Sequence, residues 1–118
     1  MPRYFVGIVE TEAPYSEAGA AGLDEVMAAH RSFSEAVQAA GGSVVAGDAL
    51  QPSATATFLR GTRSTDVRRV DNPLPEVKEV FGGYYVIEVA DDATAAALAA
   101  QCPAPYGYIE LRPVWDFG

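Results

Sequence analysis

Two glycines followed by a β-forming run, Gly82-Gly83-Tyr84-Tyr85-Val86-Ile87-Glu88-Val89, constrain this chain more than any other stretch. Successive aromatic and β-branched residues favour a strand, and the glycines release the chain into it. Upstream, Asp71-Asn72-Pro73 is a turn signal, because Asn tolerates unusual backbone angles and Pro presets φ. A short amphipathic segment joins that turn to the glycines. Alternation along the strand assigns Tyr85, Ile87 and Val89 to one face and Tyr84, Val86 and Glu88 to the other. The last strand, Tyr108 to Val114, divides the same way, with Ile109 and Leu111 opposed to Tyr108, Glu110 and Arg112.

Arg3 to Glu10 reads as the first strand, with Tyr4, Val6 and Ile8 on one side and Phe5, Gly7 and Val9 on the other. Both sides look buried. Thr11 to Gly22, rich in Ala, Gly and acids, is a loop or a frayed helical lead-in, with Ser16 and Asp24 as rival caps. From Leu23 to Ala40, apolar residues at three- and four-residue steps predict an amphipathic helix closed by Gly41-Gly42, and His30 falls on its apolar stripe. Ser43 to Leu50 and Ala54 to Arg60 are the next strands, followed by a turn at Gly61 to Ser64. Asp66 to Asp71 then pairs back as a short strand, delivering Asp71 to the rim of the sheet. Asp91 caps a second helix built on Ala93, Ala96, Ala97, Leu98 and Ala100, ended by Pro103 and Pro105.

This order of elements resembles two βα units joined into a ferredoxin-like split βαβ fold. An α+β architecture is expected, with an antiparallel sheet and the helices on one face. The other face, holding Tyr84, Val86, Tyr108 and the charges Glu88, Glu110 and Arg112, is too apolar for water and too polar for a dry core. A homodimer packing sheet against sheet satisfies both conditions.

At 118 residues the chain is expected to form one domain. Its net charge of −8 argues against nucleic acid and anionic membranes as partners. Cys102 is the only cysteine, so no internal disulfide forms, and nothing near it is basic enough to activate its thiol. Without a leader or a long apolar run, a soluble cytoplasmic protein is expected. No phosphate-binding glycine loop, nucleophile elbow or His-Glu-x-x-His motif is present. With one histidine and one cysteine, any metal would depend largely on carboxylates, so neither a metal nor a nucleotide cofactor is implied.

Val70-Asp71-Asn72-Pro73-Leu74, the charges Glu76, Lys78 and Glu79, and Gly82-Gly83-Tyr84-Tyr85 together resemble the signature of the YCII-related proteins. The resemblance is to the branch named for an Asp-Gly-Pro-Phe tetrapeptide, which reads Asp-Asn-Pro-Leu here. It implies a dimeric α+β barrel and a cleft in which a histidine of the first helix meets an aspartate of the turn. His30 and Asp71 match those positions as catalytic candidates. In such a pair the carboxylate fixes the imidazole tautomer and raises its basicity, leaving the other nitrogen to exchange a proton. From spacing alone, His30 also reads as a packed helix residue and Asp71 as a turn residue bonding backbone amides. Asp48, at the end of the second strand, is a further carboxylate candidate, and with Tyr84 and Arg112 it completes the candidate substrate contacts. The tyrosines Tyr84, Tyr85, Tyr106 and Tyr108 read first as interface residues, and Trp115 as an anchor for the tail.

Two functions follow. The resemblance favours a small-molecule enzyme using His–Asp acid–base chemistry, lyase- or isomerase-like because no hydrolytic nucleophile is visible. The alternative is a non-catalytic homodimer that binds a ligand or a protein in regulation.

Overall fold

The elements run β1 (Arg3–Glu10), α1 (Ala13–Ala39), β2 (Ser43–Ala49), a 3-10 turn at Ser53–Thr55, β3 (Phe58–Arg60), β4 (Arg68–Val70), β5 (Val80–Glu88), α2 (Asp92–Ala99) and β6 (Gly107–Pro113). They belong to a computed structural model that describes residues 1–61, 67–70 and 79–118. The main sheet has four strands in the order β2-β5-β1-β6, and every neighbouring pair is antiparallel. A strand of one βα unit therefore sits between the two strands of the other, which is the split βαβ, ferredoxin-like α+β arrangement. The sheet stays open, with no closed barrel among the described residues. β3 and β4 form a separate hairpin, Phe58 opposite Val70.

Both helices cover one face. Val6, Ile87 and Val89 meet Phe33 and Val37 of α1, all essentially inaccessible to water, and Tyr4, Ile8, Ala95, Leu98, Ala99 and Cys102 complete the core. Burying each large side chain contributes roughly 1.5–3 kcal/mol. This is the face that alternation assigned to Ile87, Val89, Ile109 and Leu111, the last two packing at its border. The opposite face is uncovered in the single chain, so the expectation that both sides of β1 are buried holds in full for the Tyr4 side, while on the other Gly7 is buried and Phe5 and Val9 are half-buried. There Phe5 stacks on Phe81 at 5.9 Å and on Tyr84 at 6.3 Å, while Glu110 and Arg112 pair with each other.

Local chemistry sets the element ends. Gly41 adopts φ 82°, and the Gly41 and Gly42 amides donate to the Gln38 and Val37 carbonyls at 3.0 Å, a Schellman closure that satisfies otherwise orphaned acceptors. The ambiguous lead-in is helical from Ala13 and is broken at Gly19, whose φ 68° and ψ −163° suit glycine alone. Glu12 stands at the N-cap, and both Ser16 and Asp24 fall inside the helix. As expected, Asp91 caps α2, accepting the Thr94 amide at 2.8 Å.

Three further expectations are corrected. The third strand is confined to Phe58–Arg60, because the Thr55 hydroxyl and amide both turn back to the Pro52 carbonyl and compete with a ladder. β5 begins at Val80, so Gly82 and Gly83 lie inside it. Register passes from Ile8↔Gly83 to Val9↔Phe81, leaving Gly82 as the extra residue of a bulge, its carbonyl accepting the Leu50 amide at 2.9 Å. Trp115 does not anchor the tail: it is 79% exposed and stacks on Phe117, because β6 is an edge strand and no described element lies beyond it to cover the ring. The Val114 amide, donating to the Arg3 carbonyl at 2.9 Å, ties the tail instead. The turn at Asp71-Asn72-Pro73, the segment through Lys78 and most of the turn after Gly61 lie outside the described residues. Among the described residues, no helix is long and apolar enough to cross a membrane.

Candidate functional site

The apolar stripe of α1 continues beyond the core, yet Leu23 and Met27 are half exposed. The sheet opposite them presents Gly47, Ala49, Gly82 and Gly83, which carry little or no side chain. The result is a cavity of about 820 Å³ between helix and sheet, lined by apolar residues such as Ile8, Val26 and Met27 and bordered by His30, Tyr85 and Glu10. Helical periodicity supplies one wall, and the glycines of the sheet leave the space.

His30 lies on the α1 wall. Its Nδ1 is 2.8 Å from the Tyr85 hydroxyl. Tyr85 faces the helices by the register Val6↔Tyr85, and its ring is wedged against buried Phe33 at 4.8 Å between centroids. Gly47 makes room for it, since a Cβ there would fall 2.7 Å from Tyr85 Cδ1. Burial pushes the His30 pKa below the ordinary 6.5, with the Glu10 charge opposing that shift. Burial also raises the Tyr85 phenol, as does the Cys102 thiol, while Ser34 works the other way. The phenol is protonated at neutral pH, and when it donates to Nδ1 the imidazole proton sits on Nε2. Among the described residues nothing hydrogen-bonds Nε2. A neutral imidazole beside an apolar cavity is able to accept a proton.

Sequence reasoning passes over Glu10. It closes the alternation Tyr4, Val6, Ile8, Glu10 on the core-facing side, and an acid in that register is the available signal. It is only 7% exposed. Its Oε1 accepts the Tyr15 hydroxyl at 2.5 Å and its Oε2 the Tyr106 amide at 3.0 Å, while the Thr11 amide donates to the Tyr106 carbonyl at 3.1 Å. Tyr15 and Tyr106 meet edge to face at 4.8 Å. Burial first, then the bond to Glu10, raises the Tyr15 pKa, so this phenol keeps its proton as a donor. Beside them Glu12 accepts the Ser53 amide at 2.8 Å and the Ser53 hydroxyl, tying the 3-10 turn to the start of α1.

The remaining candidates are distributed differently. Asp48 and Tyr84 border the cavity, but by register their side chains point to the opposite sheet face, where the Tyr84 hydroxyl donates to Asp48 at 2.9 Å and that bond raises the Tyr84 pKa. Arg112 lies on the opposite sheet face, paired with Glu110, and does not reach the cavity. Asp71 lies outside the described residues, so the partner described for His30 is Tyr85. The Cys102 thiol is pushed up to about 12 by burial and then by Glu10, which leaves it unreactive at neutral pH. Among the described residues, no group of three or more His, Cys, Asp or Glu is placed to hold a metal ion.

The family model for the YCII-related domain matches residues 5–118, almost the whole chain. Among curated proteins, none matches it.

Proposed function

The chain belongs to the YCII-related family, and from that premise we propose that it is a homodimeric, single-domain cytoplasmic enzyme that moves a proton on a small organic molecule at His30. The observation that carries this reading is an imidazole with a lowered pKa on the wall of an apolar cavity of small-molecule size. His30 is the proton carrier, Tyr85 holds one ring nitrogen, and Asp71 is the proposed orienting carboxylate. With no hydrolytic nucleophile in view, elimination or isomerisation is the reaction class. The proposed dimer joins the open sheet faces, whose stacked Phe5, Phe81 and Tyr84 supply an apolar centre and whose Glu110–Arg112 pair supplies a polar rim.

NMR titration of His30 tests the site. The expected pKa lies below 6.5, and Asp71→Asn lowers it further by removing a charge that favours the imidazolium. A titration indifferent to that change would end the pairing. Sedimentation tests the dimer, with Phe81→Lys expected to yield monomers. Asn72 and Leu74, standing where the family branch carries Gly and Phe, favour the second reading of a non-catalytic binding dimer. Ligands that bind from a metabolite panel without any turnover would establish it.

A further inference from the structure

Among the described residues, the cavity that borders His30 has carboxylates as its only other charged side chains. Glu10 and Glu12 line it, whereas Asp48 borders it with its carboxylate turned to the opposite sheet face beside Tyr84, and no described Lys or Arg lines it. Glu12 is engaged by Ser53 and Asp48 by Tyr84. Glu10 differs, being the buried one, and its partners are a phenol and a backbone amide, both neutral. The one ion pair among the described residues is Arg112–Glu110, on the far sheet face. Among the described residues, a carboxylate so placed lacks the cation that burial ordinarily requires. Each of its oxygens has one donor and a lone pair to spare.

We infer that the cavity binds a protonated amine: the ammonium group meets Glu10 beside the Tyr15 ring, and an aryl or branched alkyl body occupies the apolar walls. Charge-assisted hydrogen bonding to the carboxylate and attraction to the phenol ring both favour a cation there. Ile8, Leu23, Val26 and Met27 accept hydrocarbon. Carboxylate- and phosphate-bearing compounds are repelled by the same lining. This inference rests on the His30 cavity being a ligand site, and it names the class of ligand.

The test uses the full chain and three probes of matched shape, 2-phenylethylamine, 2-phenylethanol and phenylacetate, read by calorimetry and by the His30 resonances. The amine is expected to bind at least about tenfold more tightly than the alcohol, with phenylacetate weakest. In Glu10→Gln the amine advantage falls to within about threefold while the alcohol is still bound. That substitution can turn an amide NH2 against the Tyr106 N–H, so if the variant fails to fold, the order of the three probes on the unaltered protein decides. Equal binding of amine and alcohol, with His30 perturbed by both, overturns the amine inference and leaves the cavity as a ligand site. A preference for phenylacetate overturns it as well. If no probe binds or moves His30, the ligand-site reading fails together with it.

Discussion

Gly47→Ala is expected to weaken the fold and loosen the His30 site at once. A Cβ at position 47 would stand 2.7 Å from Tyr85 Cδ1, and 3.2 Å from both Tyr85 Cε1 and the Tyr84 carbonyl oxygen. Ordinary contact begins near 3.4 Å, so the Tyr85 ring must retreat by about 0.7 Å. It has little freedom to do so, being held by Phe33 on one side and by the 2.8 Å contact of its hydroxyl with His30. Two effects oppose one another. Replacing glycine within a strand gains roughly 0.5–1 kcal/mol, and forcing a methyl into a packed site costs roughly 1–3 kcal/mol. Overlap wins, with a net loss of about 1 kcal/mol, visible as a urea midpoint lowered by about 0.5–1 M. In the same protein the His30 pKa rises toward its ordinary value as the ring withdraws and water enters. A variant as stable as the parent, with His30 titrating unchanged, would refute the claim that Gly47 exists to seat Tyr85.

Phe33→Ala removes the largest of the fully buried side chains and is expected to cost about 3–5 kcal/mol by calorimetry. Without that ring behind it, Tyr85 should also release His30, seen as a shift of the imidazole resonances. Gly107→Ala would set a Cβ 1.9 Å from the Val9 carbonyl oxygen and 2.8 Å from Glu10 Cα. Only backbone can give way there, so a loss of about 3 kcal/mol or more is expected in denaturant melts, and wild-type stability would contradict the β1–β6 register. Stability should also depend on pH through His30. Its folded pKa is lowered, so between that value and the unfolded value near 6.5 the unfolded chain binds the proton more readily. Stability is then full above about pH 6.5 and declines as pH falls toward the folded pKa. His30→Gln, which removes the only histidine, should flatten thermal melts across that window.

Much of the fold was legible because it is written in local periodicity. β1 falls on Arg3–Glu10 as the alternation implies, Gly41 stops α1, Asp91 starts α2, and the two faces of β5 and β6 divide as their residues alternate. The start of β5 was not legible, because glycines carry no pattern and Gly82 serves a bulge that depends on its partner strand. The site was legible in part. His30 stood out as the lone imidazole on an apolar stripe, whereas its contact with Tyr85 is made across 55 residues. Glu10 was hidden because an acid at the end of a strand reads as a solvated terminus, and its burial depends on Tyr15 and Tyr106 arriving from two other parts of the chain. The cavity itself is a gap between surfaces, set by where Gly47 and the Gly82-Gly83 pair converge under one helix.

Tyr84 and Tyr85 are consecutive, yet one phenol belongs to the stacked aromatic surface and the other to the wall of the cavity. A single peptide unit therefore joins side chains on the two faces of the sheet. A backbone shift at that shared unit would reach both sides of the sheet, whereas a turn of either ring about its own side-chain bonds would stay on one.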